Sequence, residues 1–213
     1  MGVMQNSHIE KHQDSCTAVT GVILAGGKST RMRRDKALLV VDGQTLFERA
    51  QAFLQRFFTQ ILIAGDRPDL ASADIPAVVD IYPGSALGGL YTGLQAAKTD
   101  WIFVLPCDMP YPNEQILYAL LAARENVDAV VPRTPAGYEP VFALYHKNCL
   151  PPMENLLQQG NYRIFDFYQQ IAIRYLDPPA LPAGWQRALI NVNTPQELAA
   201  IQTPAPTEGI LSK

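Results

Sequence analysis

The sequence predicts an α/β protein in three layers, a mostly parallel sheet with helices on both faces. Two observations predict it. From Val19 onward, short apolar runs alternate with amphipathic stretches, the rhythm of strand–helix–strand units that pair as parallel neighbours. The residues with the most chemistry to offer, Gly26-Gly27-Lys28, Asp80 and Asp108, fall just past such runs, where open parallel sheets hold their ligands.

The elements follow in order. "VTGVILA" reads as a buried first strand stopped by Gly26-Gly27. "QTLFERAQAFLQRFF" spaces Leu46, Phe47, Ala50, Phe53, Leu54, Phe57 and Phe58 at helical intervals, leaving Glu48, Arg49, Gln55 and Arg56 on the other face. "QILIAG" and "AVVD" are the second and third strands, a helix covers Leu87 to Ala97, and "WIFVLPCDMP" is a fourth strand opening into an acidic loop. "PNEQILYALLAA" reads as a helix with Pro112 near its first turn, and "DAVVP" as the fifth strand. Beyond it "EPVFALYH" reads as a strand, "CLPPMENLLQQ" and "GNYRIFDFYQQ" as helices, and "ALINVN" as a further strand. Thr194-Pro195-Gln196-Glu197 is a capping box with Pro at the first helical position, so a last helix starts at Pro195 and ends near Gln202. The domain plan is one folded unit over 19–202, between an N-terminal extension (1–18) and a polar, Pro-bearing tail (203–213).

Composition narrows the function classes. With 17 basic and 20 acidic residues the net charge is -3, too little positive charge to hold a nucleic acid backbone. The apolar runs are far shorter than the ~18 residues of a membrane span, and the first residues have no apolar stretch of the kind a signal peptide needs. Cys16, Cys107 and Cys149 are odd in number and widely spaced, which supports neither a disulfide frame nor a zinc site and suits a reducing cytoplasm. The expectation is a cytoplasmic protein with no nucleic acid and no membrane partner.

Gly27-Lys28-Ser29 has the look of a phosphate-cradling P-loop, but the spacing fails. A P-loop needs a glycine, four residues and then Gly-Lys, and here the first glycine's place is taken by Val22, inside the apolar run Val22 to Ala25 that is needed as sheet. What remains is a strand, a Gly-Gly turn that exposes backbone amides, and a basic loop holding Lys28, Arg31, Arg33, Arg34 and Lys36. That composition makes a triphosphate clamp of another build. A plain tight turn beside a solvated basic face is its alternative. Asp108, in a loop held by Pro106 and Pro110 after a buried strand, is placed to hold Mg²⁺ against phosphate oxygens; capping the following helix is its competing role. Cys107 reads as a small buried side chain rather than a nucleophile, and His8, His12 and His146 form no ligand spacing.

Taken together, "LAGGKSTRMRRDK", "VVDIYPGSALGGL", "LPCDMP", "EPVFALYH" and "INVNTPQEL" resemble, in that order, the motifs of the molybdenum cofactor guanylyltransferases, from about Val19 to Gln202. The resemblance implies a Rossmann-like, glycosyltransferase-A-like sandwich that joins GMP from GTP to the terminal phosphate of molybdopterin and releases pyrophosphate. It implies guanine and ribose against Leu24, Ala25, Gly26 and Asp80, the triphosphate on Lys36 and the loop from Gly27 to Arg31, and Mg²⁺ on Asp108. Arg31, Lys36 and Asp108 are then the catalytic group. Molybdopterin falls to Glu139-Pro140, Tyr162-Arg163, Asn191 and Asn193. GTP and molybdopterin are the implied small-molecule partners, with transient contact to proteins of molybdenum insertion and molybdoenzyme maturation.

Three positions depart from the family pattern: Arg33 where a glycine is usual, Ala64 where asparagine is frequent, and Ser85-Ala86 where Gly-Pro is frequent. The last two fall where the base is read. Rival readings are a cytidylyltransferase acting on the same pterin, another small-phosphate nucleotidyltransferase, and a non-catalytic module that carries nucleotide or cofactor.

Overall fold

The structure, a computed structural model, describes residues 16–26 and 35–202. Gly27, Lys28, Arg31, Arg33 and Arg34 therefore lie outside the described residues. One eight-stranded sheet organises the chain. Its central strand is β1 (Val19–Leu24), parallel to β4 (Ile61–Ala64) on one side and to β6 (Trp101–Pro106) on the other. Outside β4 runs β5 (Ala77–Val78), again parallel. Beyond β6 the order is β9 (Ala143–His146), β7 (Ala129–Thr134) and β10 (Ile173–Leu176), with the two-residue β8 (Gly137–Tyr138) turned back on β7. β9 is antiparallel to both of its neighbours, so one reversed strand interrupts an otherwise parallel path.

Period-two alternation in the buried strands feeds two separate cores, one on each face. Ile23, Phe103 and Leu105 point to the side covered by α1 (Leu46–Gln55) and α3 (Glu114–Ala122). There Phe103 stacks on Phe58 at 5.7 Å and meets Phe142 edge-on at 5.1 Å, contacts worth roughly 0.5–1.5 kcal/mol each beyond burial. Val22, Ile102 and Val104 point the other way, under α2 (Ala86–Ala96) and α4 (Leu150–Gln158). Gly93 of α2 packs so closely on β1 that a Cβ there would meet Val22 Cγ1 at 2.7 Å. Packing reaches back into the expected N-terminal extension, because Cys16 is 1% exposed and joins the first of these cores.

Several readings of the second half are corrected. "EPVFALYH" is a strand only from Ala143, since Glu139 to Phe142 make a turn closed by the Phe142 amide on the Glu139 carbonyl at 3.2 Å. "ALINVN" is not a strand: Ala188 ends the short helix α5 (Trp185–Ala188), and the residues after it run as a non-ladder segment. "GNYRIFDFYQQ" is a 3-10 segment over Ile164–Gln170 rather than an α-helix. β10 and the hairpin β2 (Val40–Val41)/β3 (Gln44–Thr45) are strands beyond those expected from sequence; the hairpin turns on Asp42 and Gly43, with φ of 50° and 82°, a pair of left-handed residues suited to a two-residue loop. The last helix, α6 (Pro195–Gln202), starts as its capping box requires: Glu197 N–H donates to Thr194 Oγ1 and Thr194 N–H to Glu197 Oε2, both at 3.1 Å.

Candidate active site

A cleft of about 380 Å³ opens at the carboxyl ends of β1, β4 and β6. The first two strands are followed by Gly26 and Gly65 for a steric reason. Gly65, at φ 138°, approaches Gly26 so closely that a Cβ on it would lie 2.8 Å from the Gly26 amide nitrogen. Side chains at these points would force the two loops apart. α2 forms another wall, its first turn capped by Ser85, whose hydroxyl accepts from the Gly88 amide at 2.9 Å. Gly88 has no room for a side chain either: a Cβ would fall 1.8 Å from the Tyr82 carbonyl oxygen, which holds the Tyr82–Ser85 turn tight against the helix start.

Lys36 and Asp108 face each other across this cleft at 3.5 Å. Lys36 begins a 3-10 turn (Lys36–Leu38) whose N-cap is Asp35, with Asp35 Oδ1 accepting from the Ala37 amide at 3.1 Å. Asp108 follows β6, and its backbone carbonyl accepts from the Val192 amide at 2.9 Å, so the segment before α6 is fastened to the acidic loop. The same segment delivers Asn193, whose Oδ1 accepts from Lys36 Nζ at 2.6 Å. Burial pushes the Asp108 carboxyl above the usual carboxylate range, and the Lys36 ammonium offsets part of that rise. Cys107, next in chain, is inert: burial first and the Asp108 charge second raise its thiol to about 12.

Asp80 closes the other end of the cleft. Its Oδ1 is buried with no hydrogen-bond partner among the described residues, and its Oδ2 would sit 3.0 Å from a Cβ on Gly26. Burial, and then the neighbouring Asp66 carboxylate, raise its carboxyl above the usual range. A buried carboxylate oxygen of this kind is a strong hydrogen-bond acceptor facing the cleft.

Leu24, Ala25, Gly26, Lys36, Asp80, Asp108, Asn191 and Asn193 all line the cleft, which brings together residues from five separate stretches of chain. Glu139 and Arg163 lie outside its lining, although Val141, two residues after Glu139, reaches it. The Glu139–Val141 turn is pinned from below, where Tyr145 donates to the Pro140 carbonyl at 2.7 Å and bonds Tyr168 at 2.7 Å. Gly27 and Arg31 fall outside the described residues. The departures from the family pattern, Ala64 and Ser85-Ala86, line the cleft as well. Two charged lining residues escaped the sequence reading, Asp35 and Arg67. Arg67 carried a readable signal, since it follows a strand end by three residues, where Asp80 and Asp108 also lie close to theirs.

A glycine-flanked cleft at the carboxyl edge of a parallel sheet, with a lysine and a carboxylate opposed across it, defines a nucleotidyltransferase of the α/β class. The family model described as the MobA-like NTP transferase domain matches residues 21–173, and the chain belongs to that family. A molybdenum cofactor guanylyltransferase of Vibrio atlanticus is 34% identical over 192 residues, covering 88% of this chain and 97% of its own. Another, from Vibrio parahaemolyticus, is 33% identical over 189 residues, covering 86% of this chain and 94% of its own. Among solved structures, molybdopterin-guanine dinucleotide biosynthesis protein A from Archaeoglobus fulgidus superposes with a TM-score of 0.76 at 20% identity, over 86% of this chain and 96% of that one. That likeness bears on the fold, and it agrees with the Rossmann-like α/β sandwich expected from sequence. No helix among the described residues is long and apolar enough to cross a membrane.

Proposed function

We propose that the chain transfers GMP from GTP to the terminal phosphate of molybdopterin, forming molybdopterin guanine dinucleotide and pyrophosphate. The observation that carries the reading is the Lys36–Asp108 pair, closed by Asn193, at the sheet edge of a chain about a third identical to enzymes of that name. A phosphate oxygen of the acceptor attacks the α-phosphorus of GTP, the bond to the bridging oxygen of the β-phosphate breaks, and pyrophosphate leaves with those electrons. A phosphate monoester is largely dianionic near neutral pH, so its attacking oxygen already carries charge and a general base is not required. Lys36 offsets charge on the triphosphate as it redistributes, and Asp80 and the Gly26 backbone orient the nucleoside. Arg31 belongs to the same reading as a triphosphate ligand. Glu139, Arg163 and Asn191 are its acceptor-side residues, together with Asn193.

Mg²⁺ belongs to the same proposal. Among the described residues no group of three or more His, Cys, Asp or Glu side chains could hold a metal. Mg²⁺ fits nonetheless, because it is commonly held by one or two carboxylates with phosphate oxygens and water completing its shell, and Asp108 is a part-buried carboxylate lining the cleft. Bound there, the ion would supply charge neutralisation for phosphate oxygens. A cytoplasmic setting completes the reading, supported by three free thiols, Cys16, Cys107 and Cys149.

The experiment incubates the protein with molybdopterin, Mg²⁺ and either GTP or CTP, and identifies the product by mass. The guanine dinucleotide from GTP, with little product from CTP, is expected. Turnover of CTP but not GTP would move the base assignment to cytosine, which the cleft residues Ala64 and Ser85-Ala86 make the right control.

A further inference from the structure

Arg67 occupies an unusual position for an arginine in the proposed triphosphate cleft, because both edges of its guanidinium are already taken. Nε and Nη2 form a fork on Asp69, donating at 2.9 and 2.8 Å. Nη1 donates to Asp35 Oδ1 at 3.2 Å, and Nη2 lies 2.7 Å from Asp35 Oδ2. The side chain is only 15% exposed, whereas Asp35 and Asp69 are 38% and 57% exposed. The planar fork of arginine fixes direction as well as charge, and a lysine cannot reproduce it.

Asp35 makes this pairing consequential. The Oδ1 that accepts from Arg67 is the same atom that accepts from the Ala37 amide and starts the 3-10 turn bearing Lys36. Arg67 sits just after β4, where Gly65 presses on Gly26 and the Arg67 amide turns back to the Gly65 carbonyl at 2.9 Å. A rigid strand end thus reaches through Arg67 and Asp35 to the lysine of the neighbouring loop. With its forks filled by carboxylates, the guanidinium has little left for a phosphate.

We infer that Arg67 is a positioning residue: it acts through Asp35 to hold the Lys36 ammonium where the nucleotide triphosphate must lie. The inference rests on the proposed role of Lys36 in binding GTP. Removing Arg67 frees the Asp35 cap, so the turn that carries the Lys36 ammonium loses its anchor and GTP affinity falls through Lys36.

A double-mutant cycle tests it, with Arg67→Ala, Arg67→Lys, Lys36→Ala and the Lys36→Ala/Arg67→Ala pair. Affinity for GTP with Mg²⁺ is read by titration calorimetry, which needs no acceptor, and kcat/KM for GTP is read by pyrophosphate release. Arg67→Ala should weaken GTP about tenfold, and Arg67→Lys should restore only a part of that, since it keeps charge and loses the forks. In the Lys36→Ala background, removing Arg67 should change affinity by less than about twofold. Losses that multiply in full in the double variant would overturn the inference, because Arg67 would then be touching the ligand itself or acting elsewhere. So would parent-level affinity in Arg67→Ala. Failure of the proposed function shows separately, as a parent protein that binds GTP without forming the guanine dinucleotide; the cycle in binding still decides the role of Arg67.

Discussion

Lys36 Nζ donates a 2.6 Å hydrogen bond to Oδ1 of Asn193, which stands 157 positions further along the chain. The bond ties the loop after β1 to the segment before α6 across the mouth of the cleft. It also leaves the ammonium 3.5 Å from Asp108, a distance of ion pairing rather than of a good hydrogen bond. Lys36 is thus oriented by a neutral amide while its charge stays available.

Asn193→Ala should accordingly reduce kcat/KM for GTP by about tenfold, as expected for loss of one hydrogen bond to a charged group. The variant should keep the parent's melting temperature within a few degrees, because Asn193 is exposed. Steady-state pyrophosphate release and a thermal melt check the two parts. Unchanged kcat/KM would reduce the Lys36–Asn193 bond to a resting-state contact.

Asp108→Ala should lower kcat by about 10²–10⁴-fold, the range for removing one preorganised electrostatic group. A Mg²⁺ titration against pyrophosphate release provides the measurement, with the variant losing its response to the ion. Parent-level turnover in Asp108→Ala would remove this carboxylate from the metal role.

Asp80 yields a prediction with a pH sign. Its folded pKa is raised, by burial first and by Asp66 second, so the folded protein holds that proton more tightly than the unfolded chain does. The cost of its charge is absent below the unfolded carboxylate value of about 3.9, grows as pH rises, and is complete above the raised folded value. Asp80→Asn should therefore melt at a higher temperature than the parent near neutral pH. That advantage should shrink at pH of about 3.5, while GTP affinity falls at neutral pH. Melting curves at the two pH values decide it; a variant less stable than the parent near neutrality contradicts the stated cost.

Gly88→Ala should destabilise the fold by about 2–4 kcal/mol, since the new Cβ would lie 1.8 Å from the Tyr82 carbonyl oxygen and two backbone segments must part. For a chain of this size that is a fall in melting temperature of about 5–15 °C. A melt within a degree or two of the parent would mean that the Tyr82–Ser85 turn moves freely.

What the sequence determined by itself is whatever depends on neighbours a few residues apart. Short continuous apolar runs made β1, β4 and β6 legible, helical spacing made α1 legible, and Thr194 with Glu197 marked the start of α6 through bonds spanning three residues. The glycine, lysine and aspartate at strand ends were legible for the same reason, because a parallel sheet gathers its strand ends at one edge whatever the strand order. The reversed strand β9 was not, because direction in the sheet depends on which strands flank it, and β6 and β7 come from distant parts of the chain. "ALINVN" had the apolar content of a strand, yet its Val192 amide is bonded to the Asp108 carbonyl instead of a ladder. Nor could spacing show that Asn193 meets Lys36, or that Arg67 reaches Asp35. Local propensity carries no information about which loops are brought together once long segments between them have folded. Those partners were decided by tertiary structure, where the two cores on either face of the sheet fix the strand ends and bring their loops together around the cleft.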